Sequence, residues 1–142
     1  MRLSNFRFVL RGLEWRVVFC QSIHHVRQTA VHLGLMTPKE AKGYPDAYGV
    51  CFQDFQTIIV AAHGTPEFVR STLLHELNHA LIHIISLHYL KKGSNINMEE
   101  IIVESMAHGM AEVLPQLPKW VIQGFKRKPT PIPEPKKKAR KK

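Results

Sequence analysis

The sequence predicts a small α+β domain in which a sheet of three or four short strands packs under two longer helices. Runs rich in aromatic and β-branched residues fall within residues 5 to 20 and 44 to 60, where strands are expected. Two stretches with helical start and stop signals follow, over about residues 66 to 92 and 98 to 114. The 142 residues, 44% hydrophobic and 22% charged, supply one core and leave no room for a second full domain.

Each element has a local reason. Phe6, Phe8 and Leu10 alternate with Arg7 and Arg11, and Glu14 to Phe19 is rich in β-formers, so residues 5 to 20 hold one or two strands. Ser22 is placed to cap a helix whose apolar positions Ile23, Val26, Ala30 and Leu33 recur at helical spacing until Gly34. Thr37, Pro38 and Glu40 have the spacing of a capping box with proline in the first turn, opening a short helix that stops at Gly43. Tyr48 to Phe52 and Thr57 to Val60, joined by Gln53 to Gln56, read as a β-hairpin whose second strand is apolar throughout. Thr65, Pro66 and Glu67 start the longest helix, and Gly93 ends it. Asn95 or Asn97 caps the next one, which Pro115 and Pro118 break.

Composition excludes several classes. His75, Glu76, Asn78, His79, His83, Ser86 and His88 interrupt the most apolar helix, too many polar groups for a bilayer span. The first twenty residues carry Arg2, Arg7, Arg11, Glu14 and Arg16 and offer no secretory leader, so a cytoplasmic location is expected. Cys20 and Cys51, 31 apart, form neither a disulfide framework nor a cysteine zinc motif. The net charge of +9 is concentrated at one end: residues 126 to 142 hold nine of the 20 Lys and Arg and one of the 11 acids, Glu134. Together with the proline run PTPIPEP, this predicts a disordered basic tail after a domain of residues 1 to 125. Such a tail suits nucleic acid or an acidic partner.

Residues 75 to 79, HELNH, are an HExxH sequence. Two imidazoles four apart project from one helical face and can grip one Zn²⁺, with the intervening Glu76 beside it to take a proton from water and return it to a leaving amine. Nine His and nine Glu give about 0.035 chance matches to this pattern in a shuffled chain, so context carries weight. His75, His79 and His83 form a polar stripe on a helix otherwise rich in Leu and Ile, and Glu100, Glu104, His108 and Glu112 form one on the next helix. Both stripes are expected to be buried, with a metal ion as their shared partner. A catalytic zinc site usually has three protein ligands. Glu104 is the first choice for the third, Glu100 the nearest rival, and His108 either a further rival or a hydrogen-bond donor to substrate. His83 is set aside, since ligands at i, i+4 and i+8 span about 12 Å. Glu100, Glu112, Asp46 and Asp54 are the carboxylates available to orient the histidines, and His108, Tyr89 or Tyr48 the donors available to a transition-state oxygen. The strand Thr57 to Val60 is where an extended substrate would pair.

TLLHELNHALI at residues 72 to 82, the preceding TIIV and the later EEIIVESMAHGMAEVLP at 99 to 115 resemble the compact zincin metallopeptidases of the ImmA/IrrE-like group. The resemblance covers roughly residues 44 to 115. It implies a zincin-like fold and a zinc-dependent peptidase with His75, His79 and Glu104 as ligands, Glu104 opening the group's Glu-x-x-Ala pattern, and Glu76 as general base. It also implies a phage or mobile-element origin, hence a host cytoplasm. Asn78 stands where the group commonly has Gly, no helix-turn-helix region accompanies the domain, and the basic tail is not part of the group's pattern. SprT-like proteases share an HELxHA-like stretch but take a downstream His as third ligand, for which only His83, His88 and His108 are available. The reading from another class is a non-catalytic protein that keeps the zinc fold and engages nucleic acid or a protein through its tail.

Overall fold

The computed structural model describes residues 3–89 and 98–123, without the side chains of residues 86–89, 98–101, 103, 104 and 123. Strands β1 (Phe6–Leu10) and β2 (Leu13–Cys20) form a hairpin, so residues 5 to 20 hold two strands. Its two-residue turn places Arg11 at φ 51° and Gly12 at φ 77°, the backbone that matches strand twist. Helix α1 (Ile23–His32) and the short α2 (Pro38–Gly43) follow. The capping box of α2 forms as its spacing predicts: Thr37 Oγ1 accepts from the Glu40 amide, and Glu40 accepts from the Thr37 amide. Ser22 sits at the N-cap of α1, but its hydroxyl makes no cap bond and pairs with His25 Nδ1 at 2.8 Å.

Strand β3 (Gly49–Phe52) and β4 (Thr57–Ala61) form the expected hairpin, with Gln56 in the left-handed region after a 3-10 turn. The long helix α3 (Pro66–Tyr89) and α4 (Met98–Val113) come next, then α5 (Lys119–Gln123), which the sequence reading does not include. The sheet order is β1-β2-β4-β3, with β2 and β4 parallel and both outer pairs antiparallel. The domain is therefore a small α+β fold around a four-stranded mixed sheet.

Helices cover both faces of the sheet: α3 and α4 lie together on one, as the sequence reading expects, and α1 lies on the other. A right-handed crossover is the usual way to join parallel strands, and here α1, α2 and β3 lie between β2 and β4 in the chain. Alternation along β4 sorts the core. Ile58 and Val60 join Val69, Leu73, Leu77, Ala80 and Leu81 of α3, while Ile59 and Ala61 join Val26 and Ala30 of α1. That double burial explains why TIIV is apolar without alternation. Helix α4 crosses α3 at Gly109, where a Cβ would meet Leu81 Cδ2.

The two outer strands are treated differently. Val9 of β1 exchanges both backbone bonds with the Gln116 side chain, its amide donating to Oε1 at 2.7 Å and its carbonyl accepting from Nε2 at 2.8 Å. The adjacent Arg11 amide donates to Glu112 Oε1 at 2.8 Å. On β3 the Tyr48 carbonyl accepts from the Ala61 amide, so the alternation of an antiparallel ladder directs the amides and carbonyls of Gly49 and Cys51 away from β4. Among the described residues, no helix is long and apolar enough to cross a membrane. The expected tail, residues 126 to 142, and any contact it makes lie outside the described residues.

Candidate metal centre

Helix α3 places the motif through one asymmetry. Val69, Leu73, Leu77 and Leu81 pack on the sheet, which turns His75 and His79 outward and leaves Glu76 between core and solvent. The Nε2 atoms of His75 and His79 stand 3.1 Å apart, and the two rings meet edge to face with centroids at 4.8 Å. Nitrogens each about 2.0 to 2.1 Å from one tetrahedral ion would be separated by about 3.3 Å, so the pair already has the bite of two ligands on a single zinc.

Glu76 is buried, at 6% exposure. Burial pushes its carboxyl above the usual carboxylate range; the imidazoles of His79 and His75 and the Cys51 amide, which donates to it, act in the opposite sense without cancelling the effect. The approach of β3 makes this placement possible. A Cβ on Gly49 would lie 2.8 Å from Glu76 Cγ, 2.9 Å from Glu76 Oε1 and 2.9 Å from Thr72 Cγ2. Thr72 is itself held by a 3.0 Å bond from its hydroxyl to the Phe68 carbonyl. The carboxylate thus sits in a cradle that only glycine leaves open.

Several expectations change. The polar stripe of α3 is not buried: His75 and His79 are exposed, because α3 buries the sides that meet the sheet and α4. On α4, His108 and Ile102 are exposed too. The strand Thr57 to Val60 cannot take an added strand, since β4 is paired on both sides; β3 is the strand beside α3 whose outer groups face off the sheet. Glu112 is engaged with the Arg11 amide, and Asp46 with His24 Nδ1 at 2.7 Å and Arg27 at 2.9 Å. Asp54 is exposed in the β3–β4 turn. Tyr48 packs edge to face on Phe68, at 4.8 Å.

Glu100 and Glu104 belong to α4, but their side chains, like that of Tyr89, lie outside the described residues. Among the described residues, no group of three or more His, Cys, Asp or Glu could hold a metal ion. Sequence reasoning missed Gly49 and Cys51, whose signals are faint: a glycine opening a strand, and a cysteine with no partner motif. No protein-family model matches the chain, and neither a curated protein nor a solved structure matches it.

Proposed function

We propose that the protein is a zincin-like, zinc-dependent peptidase, with His75, His79 and Glu104 as ligands and Glu76 as general base. The observation that carries this reading is the convergence of two imidazole nitrogens, 3.1 Å apart, beside a buried carboxylate on the next position of the same helix. A zinc ion held there would lower the pKa of water toward about 7 and polarise the scissile carbonyl.

The chain's own residues supply the rest. Glu76, with its proton affinity raised by burial, is suited to accept a proton from the attacking water and pass it to the departing amine. The nearby Cys51 amide favours the ionised form of that carboxylate, opposing in part the effect of burial. Beside it, the outward amide and carbonyl of Gly49 and carbonyl of Cys51 offer an extended peptide a backbone to pair with, so the substrate lies along β3 and under the imidazoles.

Metal analysis of the purified protein tests the site. About one zinc per chain is expected, lost in His75→Ala and in Glu104→Ala and retained in Glu100→Ala and Glu76→Gln, with peptide hydrolysis abolished in Glu76→Gln. A wild-type protein that takes up no zinc refutes the proposal. Zinc lost with Glu100→Ala and kept with Glu104→Ala would move the third ligand one turn along α4.

A further inference from the structure

Among the described residues, the aromatic residues at the start of α3 and β3 form an exposed apolar pair near the candidate site that the proposed chemistry leaves unused. Tyr48 and Phe68 are 45% and 43% exposed, yet they hold each other in an edge-to-face contact at 4.8 Å. His63 stands 6.1 Å from the Tyr48 ring, and Gly64, at φ 90°, brings the preceding loop against Phe68. Such pairs present a rigid apolar face at small entropic cost.

Their position relative to Glu76 gives the pair a meaning. Phe68, Thr72 and Glu76 follow one another at four-residue spacing on the stripe of α3 that meets β3, where Tyr48 precedes Gly49 and Cys51. Eight residues of helix separate Phe68 from Glu76, about 12 Å along the axis. An extended peptide rises about 3.3 Å per residue, so the aromatic pair lies about three to four residues from a bond cut beside Glu76.

We infer that Tyr48 and Phe68 form a side-chain subsite of the candidate peptidase, selecting peptides with a large apolar, preferably aromatic, residue three or four positions from the scissile bond. This rests on the proposed function for the cut itself, and on the Tyr48–Gly49–Thr72–Phe68 juxtaposition for the selectivity. Pairing with Gly49 fixes the substrate backbone, and the side chain that points toward α3 at that distance meets the two rings.

The test has two arms. Zinc-loaded full-length protein is given a peptide mixture and the products are sequenced by mass spectrometry. Separately, binding of a short fluorescein-labelled peptide and its Phe→Ala counterpart to Glu76→Gln is followed by anisotropy. Enrichment of Phe, Tyr, Trp or Leu at one position three or four residues from the cut is expected, with about a tenfold preference for the aromatic peptide in both arms. Phe68→Ala and Tyr48→Ala should bring that preference close to unity, and Phe68→Leu should retain part of it. Both rings are half exposed, so circular dichroism should show these variants folded. Cleavage or binding with no such preference, or a preference indifferent to both substitutions, overturns the subsite while leaving the peptidase intact. Absence of cleavage alongside aromatic-selective binding overturns the peptidase and keeps the subsite. A wild-type dimer that dissociates on Phe68→Ala would assign the rings to self-association and overturn the inference.

Discussion

Replacing Gly49 with alanine adds one methyl group at the point where strand and helix come closest. Its position lies 2.8 Å from Glu76 Cγ and 2.9 Å from Thr72 Cγ2, whereas carbon atoms rest at about 3.5 to 4.0 Å, so each neighbour must withdraw by roughly 0.6 to 1.2 Å. Neither gives easily. Thr72 is tied to the Phe68 carbonyl, and Glu76 is buried, with 6% of its surface exposed. Overpacking of this kind costs about 1 to 3 kcal/mol. With a urea dependence of about 1.5 kcal/mol per molar, the unfolding midpoint should fall by roughly 0.7 to 2 M. A carboxylate displaced by about 1 Å should also lower any peptide hydrolysis about a hundredfold. Gly43→Ala is the control: no atom lies within 4 Å of its added Cβ, its φ is not positive, and stability should stay level or rise by up to about 1 kcal/mol. Urea melts of the three proteins and their kcat/KM values check both effects. A Gly49→Ala protein that melts with the wild type and turns over at its rate would refute the close approach and the cradle drawn from it.

Two further outcomes follow from burial. Leu77, 1% exposed and packed on the sheet, should cost about 2 to 5 kcal/mol as Leu77→Ala; an unchanged melting temperature would contradict its place in the core. Burial, with a smaller push from the nearby Glu76 charge, raises the Cys51 thiol from an ordinary value near 9 to about 12. Cys51 should therefore resist iodoacetamide at neutral pH in the native protein and react in urea, as mass spectrometry would reveal. The folded state keeps a proton that the unfolded chain releases near pH 9, so the stability this gives is complete below that pH and declines as pH rises toward 12. Rapid native-state labelling of Cys51 would count against its placement.

What the sequence made legible was local. Thr37, Pro38 and Glu40 state a capping box in four residues, and the box forms because its partners are chain neighbours. The HELNH spacing fixes two imidazoles on one helical face, a geometry that needs nothing beyond 3.6 residues per turn. The β3–β4 hairpin is likewise set by adjacent β-formers and a short turn. The parallel pairing of Arg16 with Thr57 across α1, α2 and β3 was not readable, because it depends on where the crossover deposits β4. Burial of the histidine stripe was misjudged for a related reason. Ile82 is apolar by type, yet α3 buries only the sides that meet the sheet and α4, and Ile82 is 45% exposed. The nearness of Gly49 to Glu76 is a tertiary fact with no periodic signature.

The rims of the sheet have unequal fates. Along β1, the Gln116 amide imitates a neighbouring strand for one residue and Glu112 closes the next position, so that stretch of the margin is occupied by the chain's own side chains. On the opposite rim the outward groups of Gly49 and Cys51 are bordered by Glu76 rather than by bare solvent. The fold thus covers part of one flank with its own side chains and leaves the other beside a buried carboxylate.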